Sequence, residues 1–291
     1  MPSSTQSSRI PSVPGLVLLC ALLVGAMGCA TQGRPAPGTP NYPELEKIYN
    51  ASVANSAVYR ANHQVANLWP VSMDETTPMV SFISCDNCSS GGGSGGGCSS
   101  GGCSSKCILS SPGSQKAPSD IWVSRADQVL AYCQSLPQDL TAAEVILKIQ
   151  QLQGLPPQVN SDPCTWQILQ LDVGGLKVPE EFFRPCTNPD PTTTGPCTAV
   201  FGDRPPSIEL LAWVEFQAWM AGQAFSSWQI PCGYPWTHLG YTYNWDPNNR
   251  NPKGPSIVGT SEYVIRQGTT VDVVGLVPAV PYCTQNRLTC P

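Results

Sequence analysis

At 291 residues the chain has room for one ordinary domain or two small lobes. Only 12% of it is charged, against about 25% for an average soluble domain, while 30 prolines and 26 glycines approach a fifth of the chain. That balance predicts a loop-rich body with short elements. A net charge of −5 with no Lys/Arg cluster excludes a phosphate-neutralising nucleic-acid surface.

In chain order, the first feature is a polar, Ser-rich start with Arg9, followed by an uncharged apolar run from Leu16 to Met27. The run is too short to span a bilayer as a helix, which takes about 20 residues, so residues 1–28 read as a secretory signal. It closes on Ala26-Met27-Gly28-Cys29, small residues leading to a single cysteine. This pattern resembles the lipobox of bacterial lipoproteins. The resemblance implies cleavage before Cys29, modification of its thiol with palmitate-type acyl chains, and attachment to a lipid bilayer. Ala30 stands where Asp favours inner-membrane retention in that family. The implied location is therefore the outer membrane or cell surface, with plain secretion as the alternative.

Residues 29–42 combine the candidate lipidation site with a Pro/Gly/Thr-rich tether. Residues 43–84 begin as a helix, with Leu45, Ile48, Tyr49, Val53, Ala57, Val58, Ala61 and Val65 on one face, and Trp69-Pro70 as the stop. Residues 85–118 open on CDNCSSGGGSGGGCSSGGCSSKC, five cysteines in a matrix of Gly and Ser with no apolar side chain for a core. Its GxGxxG match is a by-product of polyglycine, since no flanking strand and helix are indicated.

Residues 119–291 read as a disulfide-rich α+β body. Asp120-Ile121-Trp122-Val123 predicts a strand. Thr141 and Glu144 form a capping box for a helix to Gln153, whose stripe is Ala142, Val145, Ile146, Ile149 and Leu152, with Gly154 and Pro156 ending it. A second helix over Ser207–Met220 is apolar nearly all round, which predicts central burial. Glu262–Arg266 and Thr270–Val277 read as strands of an antiparallel C-terminal hairpin turning at Gln267-Gly268.

Setting aside Cys20, lost with the signal, and Cys29, reserved for lipid, the 14 cysteines fall to twelve, an even number suited to a disulfide framework in an oxidising compartment. The local pairings expected are Cys283 with Cys290 and Cys186 with Cys197. Cys85-x-x-Cys88 has metal-like spacing, but the remaining intervals do not supply a second such pair, so no metal and no cofactor are expected.

No catalytic residue is assigned. The chain has no GxSxG elbow and only two histidines, His63 and His238. His63 reads as solvated and His238 as packed, although Asp246 near His238 leaves a base–orienter pair open. Glu209 and Glu215 are about 120° apart on their helix and cannot face one substrate. The aromatic cluster has more functional pull. Five of eight tryptophans fall between Trp213 and Trp245. Trp236, His238, Tyr241, Tyr243, Trp245 and Asp246 could form a glycan-contacting surface, or the rings could fill the core of a body poor in aliphatic runs. The sequence thus points to a membrane-anchored envelope lipoprotein with a structural or interaction role. Its partners would be the bilayer through Cys29 and envelope proteins or glycans, not nucleic acid. The competing reading is a polysaccharide- or peptidoglycan-binding module or envelope hydrolase using residues 213–246.

Overall fold

The structure, a computed structural model, describes residues 42–74, 78–84, 109, 111–158, 162–231, 233–249 and 256–289. The signal, Cys29, the tether, the Cys85–Cys107 segment and Cys290 lie outside them.

Helix α1 (Tyr42–Ser56) buries Leu45, Tyr49 and Val53. It ends well before the expected stop at Trp69-Pro70. The Arg60 guanidinium folds back and donates to the Asn55 carbonyl at 3.0 Å, and the Asn55 amide donates to the Tyr243 hydroxyl at 2.5 Å. The first contact takes a backbone carbonyl that a further helical turn would have bonded, and the second ties the Asn55 side chain to Tyr243. Beyond it, Leu68 and Val71 donate their amides to the carbonyls of Thr194 and Pro191, so this stretch is held extended by a distant loop.

The core of the molecule is a seven-stranded antiparallel sheet: β1 (Pro78–Ser84), β2 (Gly113–Lys116), β3 (Ile121–Arg125), β4 (Trp166–Asp172), β5 (Phe182–Phe183), β8 (Tyr263–Ile265) and β9 (Thr270–Pro278). Its spatial order is β2-β9-β4-β1-β3-β8-β5. A separate two-stranded antiparallel unit joins β6 (Tyr241–Tyr243) to β7 (Val258–Ser261). With helices α2 (Ala126–Ser135), α3 (Ala142–Leu152), α4 (Leu210–Ser227) and α5 (Ala279–Thr284), the architecture is α+β.

Three features of the sheet depart from the sequence reading. Strand β1, at the end of the 43–84 segment for which the sequence predicts only a helix, pairs along its whole length with β4 and sits at the middle of the sheet. Strand β2, from the end of the Cys/Gly/Ser-rich stretch, forms an edge beside β9. The strands flanking Gln267-Gly268 are present but do not pair with each other: β8 bonds to β3 and β5, and β9 to β2 and β4. The turn between them is diverted by the segment before β3. The amide of Gly268 donates to the Ala117 carbonyl, and the Gln267 amide to Asp120, both at 2.8 Å.

Alternation along the strands sorts the sheet's two faces. Val123, Tyr263, Ile265, Phe182, Met79, Leu169 and Leu171 share one apolar cluster with Val71 and Leu109 from connecting segments. On the other face Val80, Ile168 and Trp166 meet α2, α3 and α5. Trp122, Val264 and Phe183 point the same way and receive α4. Helix α3 starts with the expected capping box, Glu144 reaching the Thr141 amide at 2.8 Å and Thr141 accepting from the Glu144 amide at 3.3 Å. It stops at Gly154, whose φ of +68° favours a residue without a side chain.

Helix α4 is not centrally buried. Trp213, Phe216 and Met220 pack inward, but Leu210, Leu211, Val214 and Phe225 stand in solvent. Among the described residues only the Trp213–Phe216–Met220 side of the helix has an apolar partner.

Two disulfides lie among the described residues. Cys186 pairs with Cys197, eleven residues on. Cys283 pairs with Cys133 of α2 and not with Cys290, because α5 packs directly on α2 and brings the two Cα atoms to 4.8 Å. Cys164 is disulfide-bonded as well.

Candidate functional site

The aromatic segment enters its turn through Thr237, whose hydroxyl donates to the Tyr241 carbonyl and accepts from the Leu239 amide at 3.2 Å. His238 takes a left-handed backbone, φ +48°, and Gly240 follows at +81°. The turn delivers Tyr241, Thr242 and Tyr243 into β6 as an all-buried strand. The rings therefore serve as core. Trp236, Tyr241, Tyr243 and Trp245 are each 5% exposed or less, which leaves no free face for a sugar to stack on.

Their polar tips are engaged internally. The Trp245 indole donates to the Leu155 carbonyl at 2.9 Å, and Trp228 to the Trp236 carbonyl at 2.9 Å. The Tyr241 hydroxyl donates to the His63 carbonyl at 2.6 Å. Tyr49 of α1 meets Trp245 edge-on at 5.6 Å between ring centres. The proposed glycan platform is thus the cement between α1, α3 and the β6–β7 pair.

Nor do His238 and Asp246 act together. Asp246 forms a 2.5 Å ion pair with Lys148 of α3 and accepts the Asn248 amide at 2.9 Å. The His238 ring instead lies edge-on to Trp228 at 5.1 Å. Burial keeps its pKa below the ordinary 6.5.

The fold does bring His63 and His238 to one place, which their separation in sequence concealed. Both line a surface hollow with Arg60, Tyr59, Thr237 and Tyr243. Its free volume of about 10 Å³ holds about one water. His63 is also held below its ordinary pKa, by burial first and by the Arg60 charge second. No carboxylate is among the described residues that line the hollow, and two neutral imidazoles alone provide neither an activated nucleophile nor a third metal ligand. A larger hollow, about 220 Å³, flanks the Cys133–Cys283 bond and is lined by Gln134, Gln138, Thr284, Gln285 and Arg287. Amides, a hydroxyl and one guanidinium offer hydrogen bonds but no acid–base pair. Among the described residues no group of three His, Cys, Asp or Glu side chains converges as a metal site requires.

One buried acid went unnoticed in the sequence. Glu262, between β7 and β8, accepts the Trp236 indole hydrogen at 3.0 Å, and its pKa is pushed up to about 8. Removal from water is the dominant cause, and the indole hydrogen bond offsets it only in part. The folded state therefore keeps a proton that the unfolded chain releases above its ordinary 4.5. Stability from this group is full below pH 4.5 and is lost as the pH rises toward 8. The loss approaches about 1.4 kcal/mol per pH unit in the middle of that window. Glu262→Gln should flatten the dependence, as measured by urea unfolding between pH 5 and 8. An unchanged slope in the variant would remove Glu262 as its source.

No protein-family model, curated protein or solved structure matches the chain.

Proposed function

We propose that the chain is an exported lipoprotein, held on the cell envelope through Cys29, with a structural or interaction role and no catalysis of its own. The observation that carries this reading is Cys29 itself, placed behind an uncharged apolar run and the small residues Ala26-Met27-Gly28. The disulfides Cys133–Cys283 and Cys186–Cys197 support export, because such bonds persist in oxidising compartments. Internal use of the aromatic rings supports an interaction role over a glycan-processing one. The outer membrane or cell surface is the location proposed, on Ala30 following the cysteine. Its proposed partners are the bilayer, through Cys29, and envelope proteins.

Intact mass of the protein isolated from its own host tests the reading. The expected mass lacks residues 1–28, carries acyl chains on Cys29, and falls short of the reduced mass by two hydrogens per disulfide. A mass retaining Met1, with no lipid, would overturn it.

A further inference from the structure

The outward stripe of α4 is apolar along its length. Leu211, Val214, Ala218, Ala221 and Phe225 recur at helical spacing on the exposed side, with Leu210 beside them. Phe225 is 76% exposed, Leu211 70%, Leu210 64% and Val214 51%. Such a row of large apolar side chains in water marks a contact surface. The helix carries one charge, Glu215, and no lysine or arginine, so attraction to a charged surface plays no part.

The position of Tyr42, the residue nearest Cys29 that the structure describes, indicates what covers this face. The Tyr49 hydroxyl donates to the Gly233 carbonyl at 3.0 Å, and the neighbouring Tyr234 amide returns to the Ser227 carbonyl at the end of α4, at 2.5 Å. Tyr42 lies seven residues before Tyr49 in the same helix, about 10 Å away. Tyr42, the first described residue, is thus linked through Tyr49 and Gly233 to the end of α4 that bears Phe225. Between Tyr42 and Cys29 the chain reaches at most about 45 Å. We infer that the α4 stripe seats on the lipid surface to which Cys29 is anchored, so that the body lies against the bilayer. Among the described residues no helix is long and apolar enough to cross a membrane, which leaves α4 a surface contact. This inference rests on the anchoring reading.

The test uses the native full-length product on phosphatidylcholine vesicles doped with a diazirine-bearing phosphatidylcholine, with crosslinked peptides mapped after irradiation. Lipid adducts should concentrate in residues 210–225. In the Leu211→Asp/Phe225→Asp variant they should fall by about ten-fold, because the new charges oppose entry into the headgroup–acyl boundary. That variant should still float with the vesicles through Cys29. Flotation of the wild type without adducts in 210–225 would overturn the seating while leaving the anchor intact. Adducts there in a protein lacking acyl chains would support the seating and refute the anchor. Neither flotation nor adducts would overturn both. Protein–protein crosslinks through 210–225 in place of lipid adducts would assign the face to a second copy and overturn the seating.

Discussion

Replacing Arg184 by methionine should lower the unfolding free energy by about 3–5 kcal/mol, the largest effect of any side chain outside the apolar clusters. Arg184 is fully buried just after β5, yet among the described residues no carboxylate forms an ion pair with it. Its guanidinium instead donates to backbone carbonyls. Nη1 reaches Asp190 at 2.9 Å and Asn188 at 3.4 Å, while Nη2 reaches Thr193 at 2.9 Å and Trp69 and Pro191 at 3.3 Å. Gly240 must lack a side chain here, since a Cβ would lie 2.7 Å from the Arg184 Cδ. The fork geometry suits several carbonyls at once and so organises the proline-rich 188–194 loop, which forms no regular element of its own. Through Trp69 it also ties the stretch after α1 to the edge of the sheet. Arg184→Lys keeps the charge but not the fork and should lose about 2 kcal/mol. Urea unfolding of the three proteins at fixed pH ranks them. If the methionine variant falls within about 1 kcal/mol of wild type, the carbonyl cage is not what orders the loop.

Helix α3 was readable because its determinants are local: a cap, a box partner three residues on, a stripe and a left-handed glycine. Strand β3 was readable for its short β-branched and aromatic run. Strands β1 and β4 were not, because Met79 and Val80, or Ile168 and Leu169, are buried on opposite faces. A strand covered on both sides loses the polar alternation that betrays a half-exposed one. The pairing around Gln267-Gly268 failed for a different reason. A two-residue turn signal cannot report that Ala117 and Asp120 bond to it from another part of the chain. For α4, all-round apolarity predicts central burial, but composition alone could not show that Leu210, Leu211, Val214 and Phe225 stand in solvent. The hollow shared by His63 and His238 likewise depends on the packing of residues far apart in sequence.

The cysteines carry the second large prediction. A pairing of Cys283 with Cys290 would close only a short loop near the chain's end. The observed Cys133–Cys283 bond spans 150 residues and joins α2 to α5 in the cluster that holds both against β1 and β4. In the chain-entropy account, closing a loop of that length removes about 5 kcal/mol of denatured-state freedom, against about 3 kcal/mol for the eleven-residue span of Cys186–Cys197. Cys133→Ala/Cys283→Ala should therefore destabilise the protein by about 4 kcal/mol, allowing for relaxation of the native state, and lower Tm by roughly 10–15 °C. Cys186→Ala/Cys197→Ala should cost about 2–3 kcal/mol. Both pairs are almost fully buried, so lost packing of the sulfur atoms is comparable in the two variants and the difference reports loop length. Denaturant unfolding of each double variant, with mass spectrometry confirming the remaining bonds, gives the ranking. A smaller loss for the long-range bond than for the local one would show that α2 and α5 remain docked in the unfolded ensemble without it, and that packing, not covalent closure, joins the two ends of the sequence.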